Sequence, residues 1–166
     1  FVNVNLFPGN EPSDHDATSM VRNPYHSLDF LARDLAEHVG DSCRPVIIMS
    51  HYGFDGASLN PLWWKDNQRE AFWQMAQNYN IIAYIHGHHH KTSLYTWNGI
   101  DMFNVGSPYY NVEENPEGWG HFAVFRIHDN VLEAADVAWN PSQVPARGEF
   151  LSATSQSPLM GWRKWK

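Results

Sequence analysis

The sequence predicts an α/β protein, a layered sandwich of helices and a mixed sheet. Two short apolar runs, at 45–50 and 81–86, have the length and composition of buried strands. An amphipathic helix pattern precedes each run, and two hairpin patterns follow them. Helices that alternate with strands early in the chain, followed by antiparallel strands later, indicate this class of fold.

Composition narrows the classes of function. The 166 residues match the size of one domain, and 43% of them are hydrophobic, which is enough for a core. With 11 Lys and Arg against 18 Asp and Glu, the formal charge is −7, so we do not expect binding to a nucleic-acid backbone. An acidic chain can still bind a phosphate ester where metal ions supply positive charge. We expect no transmembrane segment, since no apolar run approaches the roughly 20 residues required.

The first forty residues predict a strand, a loop and a helix. Alternation at 1–7 is typical of a strand, and the polar segment 8–24 is typical of a long loop. Ser27 is expected to cap a helix that extends to Val39. The inward face of this helix would consist of Leu28, Leu31, Leu35 and Val39. Because the strand pattern begins at the first residue, we expect the sequence to be a piece of a longer chain.

The middle of the chain repeats this order. A polar loop at 52–61 follows the strand at 45–50. Asp66 is then expected to cap a helix that extends to Tyr79. Its inward residues would be Phe72, Met75, Ala76 and Tyr79. The strand at 81–86 follows, and because it is almost wholly apolar we expect it to be buried.

Hairpins dominate the last part. Asn98-Gly99 is the strongest short hairpin signal, and a second hairpin pattern surrounds Asp129-Asn130. The corresponding strands are expected at 93–97, 100–105, 120–128 and 131–138. Pro, Ser and Gln dominate the remainder, which predicts an irregular tail at 140–166.

Histidines follow both buried strands. His51 comes directly after the first, and His88 and His90 come after the second. Residues two apart in an extended or turning segment can point to the same side, so His88 and His90 can face one site. Imidazole is a common ligand of zinc and iron. The sequence therefore predicts a metal site at one edge of the sheet, although a solvated histidine-rich turn without metal remains an alternative.

These histidines resemble a known family. His51 after one apolar strand, and Gly-His-His-His at 87–90 after the next, are similar to the C-terminal half of a calcineurin-like metallophosphoesterase. The segments 104–108 and 120–127 resemble the strands that follow in that fold. The resemblance implies an α-β-β-α sandwich with mixed sheets. Residues 1–139 would form the C-terminal portion of one such domain.

The resemblance also implies an activity. His51 and His88 would ligate one metal ion and His90 a second, the ions being zinc, iron or manganese. Such a pair generates a hydroxide that hydrolyses phosphomonoesters or phosphodiesters. Many members of the family are secreted or periplasmic, and the Trp-rich, Lys-poor composition agrees loosely with that, so the compartment stays open.

The chain departs from the family in its upstream motifs. Asp-x-His, Gly-Asp-x-x-Asp and Gly-Asn-His are all absent before His51. We therefore expect the chain to supply only the histidine half of the ligands, to bind one ion or none by itself, and to be inactive without the missing N-terminal half. Without that half, the strands at 45–50 and 81–86 are expected to expose apolar edges. The alternative is a degenerate, non-catalytic module that binds a partner or one structural metal.

Further residues are candidates around this site. Tyr52 and Tyr109 are expected to line it, and Asn104 to orient a ligand histidine. His121 is a candidate general acid. Ordinary packing remains an alternative for each of them. A Ser-His-Asp hydrolase is a rival interpretation, but the chain has no Gly-x-Ser-x-Gly segment to support it.

Overall fold

The computed structural model divides the chain into two compact units. It describes residues 1–4, 6–11, 26–54, 64–108, 120–129, 131–139 and 155–156. The first unit comprises 1–88 and 95–103, and the second comprises 89–94 and 104–166.

A five-stranded sheet organises the first half of the fold. Its strands are β1 (Val2–Asn3), β2 (Val46–Met49), β3 (Ile81–His86), β4 (Ser93–Trp97) and β5 (Ile100–Asn104). They are ordered β1-β2-β3-β5-β4, and β1, β2 and β3 are parallel. A two-residue turn joins β4 to β5, which makes that pair antiparallel. The predicted α/β class with a mixed sheet is confirmed.

The expectation that the two apolar strands expose their edges is wrong. β2 lies between β1 and β3, and β3 lies between β2 and β5. Val46, Ile47, Ile48 and Ala83 are at most 3% exposed. The described chain therefore supplies both strands with neighbours, since β1 pairs with Ile48 and Met49 on the outer side of β2.

The first strand is shorter than predicted. β1 holds two residues of the expected strand at 1–7, and Phe7 turns into the core, where it is fully buried. The Leu6 carbonyl accepts hydrogen bonds from the N–H groups of His51 and Tyr52, at 3.1 and 2.7 Å. The segment after β1 thus leaves the sheet and holds the loop that follows β2.

Helix α1 spans Ser27–His38 and buries Leu28, Leu31 and Leu35. The predicted cap is wrong: Ser27 is the first helical residue, and the cap position before it makes no side-chain hydrogen bond. Instead, the Gly9 carbonyl accepts from the N–H of Ser27 at 3.1 Å. The Asn10 side-chain oxygen accepts from the N–H of Asp29 at 3.0 Å. These acceptors satisfy two of the first three N–H groups of the helix, those of Ser27 and Asp29, without a serine cap.

Helix α2 spans Asp66–Ala76. Its cap position is Lys65, so the predicted cap at Asp66 is wrong by one residue, and the helix ends three residues before Tyr79. The Asp66 carboxylate accepts from the Arg69 guanidinium and lies at the positive end of the helix dipole. Phe72 and Ala76 are buried as predicted. Among the described residues, no helix has the length and apolar character needed to cross a membrane.

The Asn98-Gly99 hairpin is confirmed. Both turn residues have positive φ, 47° for Asn98 and 84° for Gly99, as a type I′ turn requires. Glycine reaches this region without the steric cost that a Cβ would add. β5 ends at Asn104, one residue earlier than predicted.

The second unit contains the second hairpin. Strands β6 (Gly120–His128) and β7 (Val131–Trp139) are antiparallel, in agreement with the predicted pair, and β8 (Ser155–Gln156) pairs with β7. Most of the predicted tail at 140–166 lies outside the described residues.

Candidate functional site

The parallel pairing of β2 and β3 continues past the ends of both strands. The N–H of Ser50 donates to the Ile85 carbonyl at 3.0 Å, and the N–H of Gly87 donates to the His51 carbonyl at 3.1 Å. These bonds hold the two strand exits side by side. His51 and His88 therefore emerge at the same edge of the sheet.

The structure brings the His51 and His88 rings together. His51 Nε2 and His88 Nδ1 form a hydrogen bond of 3.2 Å, and the rings are nearly perpendicular, with centroids 5.1 Å apart. His88 has a φ of 78°, which turns the chain sharply after β3. The Tyr52 ring contacts both imidazoles edge-on, at 4.9 and 4.7 Å between centroids, and is 3% exposed. A buried aromatic ring thus fixes the position of the pair.

The spacing of the two nitrogens suits a shared metal ion. Zinc binds imidazole nitrogen at about 2.0–2.1 Å with tetrahedral angles, which places two such nitrogens about 3.3–3.4 Å apart. The observed 3.2 Å is close to that value. In the part of the chain that the structure describes, no group of three or more His, Cys, Asp or Glu side chains is arranged to hold a metal. A complete coordination sphere therefore needs donors beyond this pair.

A buried histidine supports the loop after β2. His86 is 2% exposed, and its Nε2 lies 2.7 Å from the Tyr95 hydroxyl. The N–H of Phe54 donates to the same hydroxyl oxygen at 2.9 Å. The Gly87 carbonyl can only accept, so His86 Nδ1–H donates to it at 3.2 Å, and in that tautomer Nε2 accepts from the Tyr95 O–H. This imidazole links the loop to β3 and β4.

Two hydroxyls hold the carbonyl of Tyr52. The Ser50 hydroxyl oxygen lies 2.8 Å and the Tyr84 hydroxyl oxygen 3.3 Å from that carbonyl, and one of the two hydroxyls donates to it while the other donates to its neighbouring hydroxyl. The Ser50 and Tyr84 hydroxyls also form a short hydrogen bond with each other. Burial raises the pKa of Tyr84 far above its usual range, so this phenol stays neutral.

Four supporting residues of this network were not predicted from the sequence. They are Ser50, Tyr84, His86 and Tyr95. A signal was present in the strand at 81–86, which carries a tyrosine and a histidine within an otherwise apolar run. Buried polar side chains need hydrogen-bond partners, so these two residues could have indicated a polar network in this strand, although not its partners.

His90, the third predicted ligand, belongs to the second unit. It is exposed, with a φ of 59°, and its carbonyl accepts from the N–H of Ser107 at 3.3 Å. The Asn104 side-chain amide donates to the Lys91 carbonyl at 2.8 Å. The structure thus places Asn104 on the backbone of the histidine turn. Its Oδ1 is buried and has no hydrogen-bond partner among the described residues.

His121 pairs with a buried carboxylate in the second unit. Its Nδ1 lies 2.9 Å from Asp136 Oδ2, and the Thr92 hydroxyl donates to Asp136 Oδ1 at 2.8 Å. Asp136 is fully buried, whereas 24% of the His121 side chain is exposed. His121 was a candidate from the sequence, whereas Asp136, which is hydrogen-bonded to it, was not.

Of the predicted lining residues, only Tyr52 can be placed. Its ring faces the His51 and His88 imidazoles. Tyr109 lies outside the described residues.

Comparisons with known proteins give one structural match. No family model matches the chain, and no curated protein is significantly similar to it. The crystal structure of a dimetal phosphatase from Danio rerio is similar over 70% of this chain, with 19% sequence identity and a TM-score of 0.49. The match covers 39% of that protein, so this chain corresponds to less than half of its length.

Proposed function

We propose that this chain supplies the histidine half of the metal site of a phosphoesterase. The observation that carries the proposal is the 3.2 Å separation of His51 Nε2 and His88 Nδ1 at the ends of adjacent parallel strands. In this proposal the two imidazoles ligate one divalent ion and His90 ligates a second. When bound, the ions supply Lewis acidity toward a phosphomonoester or phosphodiester.

The chain's own residues prepare the ligands. The hydrogen bond between Gly87 and His51 fixes the strand exits, so the backbone that carries both imidazoles is already in place, and an ion would replace the hydrogen bond between their nitrogens. The Tyr52 ring keeps water from one side of both imidazoles. Rigid supporting contacts of this kind raise metal affinity, because the ligands lose less conformational freedom on binding.

The site as proposed is incomplete without further chain. The three histidines are neutral ligands, and two cations held close together require anionic donors between them. The proposal therefore assigns the carboxylate ligands to an N-terminal half that precedes this segment. We expect the 166 residues alone to show no phosphoesterase activity.

A second candidate is a non-catalytic module with one structural metal ion. It is favoured by the observation that the described residues bring together two histidines and no third His, Cys, Asp or Glu ligand. In this case the ion would stabilise the loop after β2, and no substrate would be turned over.

The decisive experiment uses the protein expressed from its complete gene. Metal content is measured, and hydrolysis of an aryl phosphomonoester and a bis-aryl phosphodiester is assayed with manganese, zinc and iron. We expect His51→Ala and His88→Ala each to lower metal affinity by more than about 100-fold, since removing a ligand exceeds the loss caused by an outer partner. His38→Ala is the matched control, because His38 is a surface residue of α1.

The outcomes separate the two candidates. Metal-dependent turnover that is lost in His51→Ala but kept in His38→Ala supports the phosphoesterase. One bound ion without turnover of either ester supports the structural module. Absence of metal binding contradicts both.

A further inference from the structure

One buried imidazole contacts both segments that carry the candidate ligands. His86 is 2% exposed, and the loop that follows His51 passes over its ring at Gly53. A Cβ added to Gly53 would lie 2.2, 2.3 and 2.4 Å from three atoms of that ring, so the backbone rests directly against the imidazole. His86 and Gly53 belong to the first unit, as do His51 and His88. The contact therefore lies within one compact unit.

The two nitrogens of His86 reach the two segments separately. Nδ1–H donates at 3.2 Å to the Gly87 carbonyl, which belongs to the peptide group that leads into His88. Nε2 accepts from the Tyr95 hydroxyl at 2.7 Å, and the oxygen of that hydroxyl accepts from the N–H of Phe54 at 2.9 Å. One nitrogen thus holds the turn after β3, and the other holds the loop after β2.

The backbone of His88 needs such support. Its φ of 78° lies in the left-handed region, which residues with a Cβ rarely adopt. A strained conformation of this kind persists only where the surrounding contacts hold it. The hydrogen bond from His86 to the Gly87 carbonyl acts on the peptide group directly before this residue. The direction in which the His88 imidazole leaves the chain therefore depends on that bond.

The loop side of the contact influences where His51 lies. The Tyr52 ring contacts the imidazoles of His51 and His88. Gly53, which rests against His86, follows Tyr52 directly in the chain. Displacing the loop from the His86 ring would carry the Tyr52 ring with it and change the separation of the two ligand nitrogens, which is 3.2 Å. The positions of both ligands thus depend on contacts with a single buried ring.

We propose that His86 is a positioning residue for metal binding: it sets the separation of the His51 and His88 nitrogens and thereby their affinity for a divalent ion. This inference rests on the proposed function, the metal site of a phosphoesterase. Both nitrogens of His86 already have hydrogen-bond partners, so the ring acts through its neighbours and not as a third ligand. Removing a supporting partner of this kind typically lowers metal affinity by about 10–100-fold.

Zinc binding by Tyr95→Phe tests the proposal, because this substitution removes one hydroxyl and keeps the ring. The protein is expressed from its complete gene and freed of metal with a chelator, and the Kd for zinc is measured in competition with a chelating dye. We expect the Kd to rise by about tenfold, since Phe54 and His86 lose their shared partner. Gly99→Ala is the matched control: it strains the β4–β5 turn, where an added Cβ meets no atom within 4 Å, and should leave the Kd unchanged.

A second substitution reaches the same ring from the loop. Gly53→Ala pushes a Cβ against His86 and should also raise the Kd for zinc. If both substitutions act through His86, the double variant should lose less affinity than the product of the two single losses, since perturbations of one shared residue are not additive. Losses that multiply would show two separate effects and overturn the role of the ring. Circular dichroism checks that every variant is folded at the temperature of the titration.

A metal-free readout separates this inference from the proposed function. Nitrogen-15 NMR of the His51 and His88 rings reports the hydrogen bond between them, and we expect these signals to shift in Tyr95→Phe but not in Gly99→Ala. Wild-type zinc affinity and unchanged ring signals in Tyr95→Phe would overturn the positioning role and leave the phosphoesterase proposal intact. Absence of zinc binding by the wild-type protein would overturn that proposal, and the ring signals would then decide whether His86 sets the geometry of the pair.

Discussion

Tyr95→Phe is the sharpest test of the network that supports the candidate metal site. The Tyr95 hydroxyl donates to His86 Nε2 at 2.7 Å and accepts from the N–H of Phe54 at 2.9 Å. Each such hydrogen bond contributes about 1 kcal/mol net, and a buried partner left unsatisfied costs about 1–3 kcal/mol. Because His86 is 2% exposed, its ring cannot easily recover a bond to water. We therefore expect the free energy of unfolding to fall by about 2–3 kcal/mol.

Urea denaturation followed by tryptophan fluorescence measures this loss. Tyr79→Phe is the matched control, since Tyr79 packs partly buried against the same core and its hydroxyl has no hydrogen bond to a described residue. The control should change the free energy of unfolding by less than about 0.5 kcal/mol. If Tyr95→Phe behaves like the control, the hydroxyl does not link His86 to the loop after β2, and the network does not stabilise the protein.

Three further changes test other contacts of the first unit. Gly53→Ala places a Cβ 2.2 Å from the His86 ring and should lower the free energy of unfolding, measured by urea denaturation, by about 1–3 kcal/mol. Gly87→Ala is the control and should be nearly neutral, because a Cβ there meets no atom within 4 Å. Gly99→Ala forces a side chain to a φ of 84° and should cost about 1 kcal/mol by the same assay; a neutral result would contradict the turn geometry. Removing metal with a chelator should lower the Tm of the wild-type protein, and a similar drop in His51→Ala would exclude that residue as a ligand.

The elements that the sequence predicted well are those with local causes. The strand at 81–86 matches β3 at both ends, because its apolar run is bounded by a polar residue and a glycine. The predicted cap of α1 was wrong because the N–H groups of Ser27 and Asp29 donate to Gly9 and Asn10, which lie far earlier in the chain. A pattern of neighbouring residues contains no information about such a contact.

The same distinction applies to the candidate site. His51 and His88 could be placed together from sequence, since the ends of parallel strands meet at one edge of a sheet. The contact between His121 and Asp136 could not, because it depends on the register of β6 against β7. Shifting that register by one residue would move Asp136 to the opposite face of the hairpin. Supporting contacts of this kind depend on the register of the paired strands, and the residue pattern of one strand does not determine that register.

Charge limits how many metal ions the chain can hold by itself. Two divalent ions about 4 Å apart repel each other by about 17 kcal/mol at an effective dielectric constant of about 20. Neutral imidazoles supply no negative charge to offset this repulsion, and the described residues place no carboxylate in a group of three or more metal ligands. Titration of the 166-residue chain with zinc should therefore saturate at no more than one ion. A stoichiometry of two would mean that carboxylates of this chain complete the site, and it would remove the reason to assign those ligands to a preceding segment.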